Sequence, residues 1–570
     1  MPPHVIVIGA GWSGLAAAKT YFQINPAIDL TILDDDSTVG GVWSTARLYP
    51  GLIANSPNGL YEFSDLTMVT KSQPALKPVP GKQVQAYLHQ YAEKNNLLSR
   101  IKFGSKVVKA ERREIGGWTI RTSRGDVLEC EKLIVATGLY SKPHWPDIPR
   151  DEDFRGSVIH TKSLGQEYRR LTGEKVDDVV IVGGCKSAIE AANIFLAAGK
   201  RVHWLIRESQ QGVPLIVVDP DMRPNLVAVN NTCLFNVWSP SIFATSGFWY
   251  RFLHTGKWYL GNLLYFCFWN LLSLVVMSSA GYGRSENGRK IRPKVKSLFR
   301  LTSYVSLVHT TNPFLDDLHS GGNIMVYRAS PTRLVKDGMQ LDSGQVLKAD
   351  VVVYATGWRS SIDFFDDEEA AQLGIPIPLG QQDAEAEKLW DSLESKADMM
   401  VTDALPRLAE YPIPKTDRET GTTQFRMYRQ VLSPRLLAQH DRSITFVGYV
   451  ANSQTSICSE ILALWAVAWM EDLLPKPLPT ETQMEIDVAT VNAWMTRRYG
   501  ARGRQDPEII LEVQTFFDTL MEDLGLRVQR KNKGFFGPIV ELVVPYEGSD
   551  YRGMVEEFLA QVKPKTKTEY

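Results

Sequence analysis

The chain has 570 residues, of which 44% are hydrophobic and 22% charged, with a formal net charge of −1. This length implies two or more domains with large cores, and the composition is that of an ordinary globular protein, not a disordered or fibrous one. The balanced charge leaves no whole-chain field that would select nucleic acid or an anionic surface.

The elements read from the N-terminus begin with "HVIVIG" (His4–Gly9), a continuous apolar run expected for a strand buried on both faces. A helix-like "LAAAKTYFQ" and a second strand, "DLTILD" (Asp29–Asp34), complete a βαβ unit. Further strand-like runs lie at Lys132–Gly138, Val179–Gly184, Arg201–Arg207 and Asp350–Gly357. Strands alternating with helices predict doubly wound parallel sheets, an α/β fold. "ATG" closes two strands, at Ala136–Gly138 and Ala355–Gly357, and each marks a point where the chain leaves one domain for the other. Pro-rich Ser141–Pro149 reads as a linker, and Pro475–Pro479 separates a hydrophobic helix from a more polar C-terminal region.

The five cysteines, Cys130, Cys185, Cys233, Cys267 and Cys458, include no CxxC pair, and the nine histidines form no HExxH spacing. No metal site or local redox disulfide is therefore signalled. Scattered thiols fit a reducing, cytoplasmic setting, and a strand pattern starting at His4 leaves no room for a signal peptide.

Gly9-x-Gly11-x-x-Gly14 follows the first strand and opens a helix. Gly9 permits the tight turn, Gly11 lets the backbone approach a pyrophosphate, and Gly14 lets helix and strand pack closely. The helix N-terminus then offers N–H groups and a positive dipole end to phosphate. Asp34, at the end of the second strand, is placed to accept hydrogen bonds from a ribose diol. A second copy of this arrangement, "VVIVGGCKSAIEAA", runs from Val179 to Ala192, with Cys185 and Ala188 where glycines are usual.

The first turn, followed by "GGVW" (Gly40–Trp43) and "YPGLIANSPNGLYEFSD" (Tyr49–Asp65), resembles the class B flavin-dependent monooxygenases. That family comprises the flavin-containing N- and S-oxygenases and the Baeyer–Villiger monooxygenases. The likeness covers about residues 4–210 and 345–475. It implies two Rossmann-like dinucleotide-binding domains, with the NADPH domain inserted into the FAD domain. The implied division is an FAD part at 1–153, an NADPH part at 154–349 with a hydrophobic insertion at about 210–310, a second FAD part at 350–475, and a helical extension at 476–570. In that family Gly41, Val42 and Trp43 run along the FAD, and the same resemblance assigns Ser13, Val107 and Ala136 to the FAD site. "FRGSVIHTKSL" matches the family signature FxGxxxHxxx[aromatic] at Phe154, Gly156 and His160, but Leu164 stands where the aromatic is expected. His160 is read as a satisfied interdomain histidine.

Two cofactors need two phosphate cradles, which accounts for the repeated turn. In the second, Gly183, Ser187 and Ala188 fit the family pattern, while Cys185 and Lys186 depart from it. Lys186 is expected to add a cation near the phosphates. Arg207 ends the next strand, where a guanidinium holds a 2′-phosphate in a bidentate way, favouring NADPH over NADH. The resemblance further implies that NADPH reduces FAD and that O2 then adds at the flavin C4a to give a hydroperoxide, which oxidises a small apolar substrate. Asn55 aligns with the family's flavin-side Asn and is the candidate catalytic donor: its amide brings no ionisable proton. Baeyer–Villiger members carry a related "RYPGxRxD" stretch, and here Ile53 and Asn55 occupy its arginine and aspartate positions. N- or S-oxygenation is therefore expected ahead of ketone oxidation. A flavin disulfide reductase would need a cysteine pair that the sequence does not offer. Asn452, Ser453 and Gln454, before an apolar helix, are further candidates for the flavin site.

Trp258 to Gly283 carries no charge and exceeds the ~20 residues that span a bilayer. Because it interrupts the expected NADPH domain, spanning is disfavoured. Two readings remain open: a helix roofing the active site, or a peripheral membrane anchor.

Overall fold

The computed structural model describes residues 3–68, 77–208, 215–219, 226–294, 297–300, 306–309, 313–414 and 421–562. Two five-stranded sheets organise them. The first has the order Ile444–Phe446, Lys132–Val135, His4–Ile8, Asp29–Leu33, Ile101–Lys102. The second has the order Ser157–His160, Val351–Tyr354, Asp178–Val182, Arg201–Ile206, Ile324–Arg328. Every pairing in both is parallel. The apolar runs belong to strands covered on both faces, and Val5, Ile6, Val179 and Val180 are fully buried.

The two sheets are built alike. In each, an antiparallel three-stranded meander precedes the strand that ends in "ATG". Val107–Arg112, Trp118–Thr122 and Val127–Cys130 precede Lys132–Val135. Pro331–Val335, Gly338–Leu341 and Val346–Lys348 precede Val351–Tyr354. This corrects one expected boundary. Val351–Tyr354 pairs with Ser157–His160 and with Asp178–Val182, so the second sheet continues past residue 350 and the return to the first fold comes later. Beyond the two "ATG" segments, Lys142–Pro143 and Trp358–Arg359 pair antiparallel and form a two-stranded ribbon between the sheets. His160 is buried beside this ribbon. One ring nitrogen lies 3.1 Å from the Gly357 carbonyl, the other accepts from the Lys162 N–H at 3.1 Å, and Trp358 packs edge-on against the ring. Burial drives its pKa down to about 4, so the imidazole is a neutral joint.

Between the second sheet's Arg201–Ile206 and Ile324–Arg328 lies the insertion. It contains a parallel two-stranded ladder, Ile216–Asp219 with Ser306–His309, and the helices Leu226–Asn230, Cys233–Val237, Gly247–Leu253 and Tyr259–Ser279. The uncharged stretch becomes the last of these helices. Only one stripe of it is buried (Gly261, Tyr265, Trp269, Ser273 and Val276, at helical spacing), and Trp269 and Leu272 line the cavity described below, so the helix roofs it as one reading expected but is buried along one side only. Gly261 is required there, because a Cβ would strike the Phe252 carbonyl.

The C-terminal helices are not an appendage. Arg498, on the helix Glu481–Tyr499, pairs with Glu512 at 2.7 Å, and both side chains are fully buried. Glu512 also accepts from Ser239 and Tyr499, while the Arg498 guanidinium lies 4.1 Å from the Phe299 ring centroid. The pair thus ties the extension to the insertion in a dry environment, where losing one partner would strand a charge.

Candidate functional site

The first cradle is fixed by backbone geometry. Gly9 has φ +111°, and a Cβ there would lie 2.5 Å from the Ala136 carbonyl oxygen. A Cβ at Gly14 would overlap the Gly9 carbonyl, so helix and strand cross with no room for a methyl. The Gly11 and Gly41 backbones face each other, a Cβ at Gly11 coming within 3.6 Å of the Gly41 Cα. The helix Trp12–Ile24 has Gly11 as its N-cap with no side-chain cap, which leaves its first N–H groups to a ligand. Ser13 is 3.0 Å from the Ser459 hydroxyl and sits over Gly448, where any Cβ would strike it. Asp34 accepts from the Ala10 N–H at 2.6 Å and the Asp36 N–H at 2.8 Å. Burial nevertheless raises its pKa to about 6. Trp43 is buried and donates to the Tyr61 hydroxyl at 2.9 Å, and Trp12 packs on the same ring. The facing Gly11 and Gly41 backbones, bare helix N–H groups and a carboxylate at the strand end fit the pyrophosphate and ribose of FAD.

A cavity of about 480 Å³ opens on this cradle. Gly9, Gly11, Ser13, Asp34, Gly41, Val42, Trp43, Asn55, Val107 and Ala136 all reach its wall; Gly14, packed behind the turn, does not. Asn55 lies on the short strand Ile53–Pro57. Asn452, Ser453 and Thr455 line the cavity too, so the helix Thr455–Met470 begins at the wall; Gln454 is buried behind it. The remaining wall was legible in the sequence only at the helix Tyr259–Ser279, which one reading placed over the active site. It comes from the insertion (Leu215, Val217, Asn230, Phe235, Trp269, Leu272) and from Ile510 and Leu511 of the extension. Asn230 joins the two, donating to the Ser453 hydroxyl at 2.8 Å and the Ile510 carbonyl at 2.9 Å. The charged wall residues, Asp34, Asp35, Arg47, Lys106 and Asp363, all sit on the FAD side. Among the described residues, every wall residue from the insertion and the extension is uncharged. None of the five cysteines is a wall residue, and all five are free thiols, so no redox pair faces the site.

The second cradle repeats the first. The Gly183 N–H donates to the Leu205 carbonyl at 3.0 Å, as Gly9 does to Leu33 at 2.7 Å. Gly183 has φ +133°, and a Cβ there would strike the Ala355 carbonyl, the counterpart of Ala136. Ser187 lies in the first turn of the helix Lys186–Ala197, and Ala188 is fully buried where Gly14 stands in the first fold. Burial pushes the Cys185 thiol up to about 11, outweighing the Arg502 and Arg207 guanidiniums, so it is a packing substitute for glycine.

Lys186 is not directed at an open phosphate site. Its ammonium donates to the Ile53 carbonyl at 2.6 Å and lies 3.4 Å from Glu190, which accepts from the Tyr49 hydroxyl at 2.7 Å. The second fold's helix is thereby fastened to the short strand that carries Asn55. Arg207 is exposed, and with Arg359 it holds a positive field at His144, whose pKa is lowered by burial first and then by these two guanidiniums. Arg359 was missed in the sequence. Its position in "ATGWR", just past the second "ATG", was the available signal. Gly183, Lys186, Ser187, Ala188 and Arg207 do not line the 480 Å³ cavity.

A family profile described as "Pyridine nucleotide-disulphide oxidoreductase" matches residues 6–238. The FAD-dependent monooxygenase rstn6 of Aspergillus nomiae is 35% identical, over 98% of this chain and 98% of its own. The FAD-dependent monooxygenase resA of Aspergillus sclerotiorum is 36% identical, over 98% of this chain and 99% of its own. The crystal structure of a cyclohexanone monooxygenase from Rhodococcus sp. Phi1 bound to NADP+ superposes with a TM-score of 0.57 at 17% identity, over 92% of this chain and 98% of that one, which shows a shared fold. The chain belongs to the FAD-dependent monooxygenases.

Proposed function

We propose that this monooxygenase takes its electrons from NADPH and places one O2-derived oxygen atom on the nitrogen or sulfur of a small, apolar substrate. The observation that carries the reading is the cavity's split wall: its charged residues lie beside the FAD cradle, and the described residues with which the insertion and extension close it carry none. An apolar molecule gains by entering such a chamber, and a charged one loses its hydration. Bound FAD, reduced by NADPH, supplies the activation of O2. The chain supplies the setting. Helix N–H groups at Trp12–Ile24 and the Asp34 carboxylate hold the nucleotide, and Trp269, Leu272 and Leu511 keep water from the reacting atoms. The Asn55 amide donates a hydrogen bond without delivering a proton. Arg207 and Arg359 supply the positive field that a 2′-phosphate requires. Support for NADPH also comes from the fold shared with the NADP+-bound neighbour.

A second reading, Baeyer–Villiger oxidation of a ketone, is favoured by one contact: Lys186 brings a cation to the backbone of Ile53, where such enzymes carry an arginine. The two are separated by offering the FAD-loaded enzyme a thioether, a tertiary amine and a ketone with NADPH or NADH, and weighing the products. Heteroatom oxides with NADPH are expected, and esters alone would favour the second reading. Asn55→Ala should keep flavin and NADPH oxidation but lower product formed per NADPH by about tenfold or more, with H2O2 making up the difference. Unchanged coupling would remove Asn55 from the mechanism.

A further inference from the structure

We propose that the outer face of the helix Tyr259–Ser279 rests on a lipid bilayer surface and holds this enzyme there as a peripheral membrane protein. The helix is apolar on both sides. Its buried stripe packs on the core, while Leu260 is 56%, Phe266 63%, Leu271 63% and Leu274 68% exposed on its outer side. Side chains of this size on one helix form a contiguous apolar face, which folded monomers rarely leave to water.

The surface extends on two flanks. Phe248, Trp249, Trp258 and Tyr259 are exposed around the helix's N-terminal end. On the other side the short helix Cys233–Val237 packs against it through Phe235 and Phe268, and in turn touches Glu541 of Gly537–Val543 through Cys233. There Phe535, Phe536 and Ile539 are exposed as well.

The helix does not span. Trp269 donates to the Trp238 carbonyl at 3.0 Å, the Ser273 hydroxyl accepts from the Leu298 N–H at 2.9 Å, and the Arg407 guanidinium stacks 4.2 Å over Tyr265. These contacts hold one face against the protein along most of its length, so the lipid contact is lateral.

Charge points to a bilayer as the occupant. Between Leu226 and Gly283 there is no acidic residue, and the two basic ones, Arg251 and Lys257, are exposed beside the aromatic end. Tryptophan and tyrosine next to cations is the chemistry of the headgroup layer. A second copy of the chain would meet this face with the same unpaired cations. The arrangement also suits the chamber, because Trp269 and Leu272 of the same helix line it. A lipophilic substrate dissolved in the bilayer would then lie one helix away from the site.

The test uses the FAD-loaded full chain and needs no oxidisable substrate, so its result is independent of which substrate is oxidised. The protein is floated with phosphatidylcholine vesicles, with and without phosphatidylserine. In parallel, Cys267, the exposed thiol on this helix, carries an environment-sensitive fluorophore. The expected result is co-flotation, increased by phosphatidylserine, with a blue-shifted Cys267 probe. The triple variant Leu264→Asp, Leu271→Asp, Leu274→Asp, whose positions are exposed and off the chamber wall, should lose at least about tenfold in vesicle binding. Its flavin absorbance and NADPH oxidation should stay at the parent level. No flotation with either vesicle, flotation that the aspartates leave unchanged, or a concentration-dependent dimer that they dissolve would overturn the proposal, the last assigning the face to a second copy.

Discussion

The two nucleotide folds share the order of four of their five strands, the meander, the "ATG" ending and the glycine that passes over its carbonyl, yet they differ where the helix crosses the strand. The first has Gly14 at that crossing, with no space for one methyl group; the second accommodates the Ala188 methyl. The first is joined to a deep cavity, while the second carries its arginines on the surface and spends its turn lysine on the neighbouring domain. A tight, enclosed cradle suits a cofactor that stays, and a wider, open one suits a cofactor that exchanges at every turnover.

The comparison can be broken most severely at Gly14. Gly14→Ala should shift helix against strand, and the protein is expected to purify without flavin absorbance and to melt several degrees lower, overpacking here costing about 1–3 kcal/mol or more. Retention of FAD at the parent level would show that the crossing is not what holds the nucleotide.

Asp34 sharpens the same point through pH. Its folded pKa of about 6 lies above the ordinary 3.8, so the folded apoprotein binds this proton more tightly than the unfolded chain does. The resulting stability is fully present below pH 4 and is lost as pH rises through 6; a shift of this size corresponds to about 3 kcal/mol. Differential scanning of the apoprotein against Asp34→Asn, from acid to neutral pH, should show the parent losing stability relative to the variant across that window. Parallel curves would remove the buried carboxylate from the account.

In the second fold, Arg207→Ala combined with Arg359→Ala should raise the KM for NADPH by about tenfold to a hundredfold, from the loss of charge-assisted contacts of roughly 1.5–3 kcal/mol, while changing that for NADH little. Equal losses for both nucleotides would mean that these guanidiniums do not read the 2′-phosphate. The smallest effect belongs to Ala188→Gly, which restores the missing glycine. It should cost about 0.5–1 kcal/mol of helix stability and leave nucleotide KM nearly unchanged, because the crossing has already widened.

What the sequence disclosed follows the range of the interactions. The glycine turns and Asp34 were readable because φ constraints and short strand–turn–helix units are local. The sheet to which Val351–Tyr354 belongs was misplaced because both "ATG" strands look alike, and only pairing with Ser157–His160 separates them. The role of Lys186 inverted because nothing near it in sequence announces the Ile53 carbonyl. The helix Tyr259–Ser279 resisted reading because it carries no charge, and its few polar residues, Asn262, Asn270, Ser273, Ser278 and Ser279, do not mark one face. Ile510 and Leu511 became visible as chamber wall only once Asn230 was seen to bond the Ile510 backbone.

The sealed Arg498–Glu512 pair makes the two least recognisable stretches of the chain one heritable unit. The pair itself lies within the extension, the insertion's Ser239 donates to it, and both segments wall the same chamber, so a change in the insertion takes a donor from the buried Glu512 or opens the wall. Grafting a new substrate preference onto this scaffold would succeed by exchanging both segments together, whereas trimming the tail would cripple the middle.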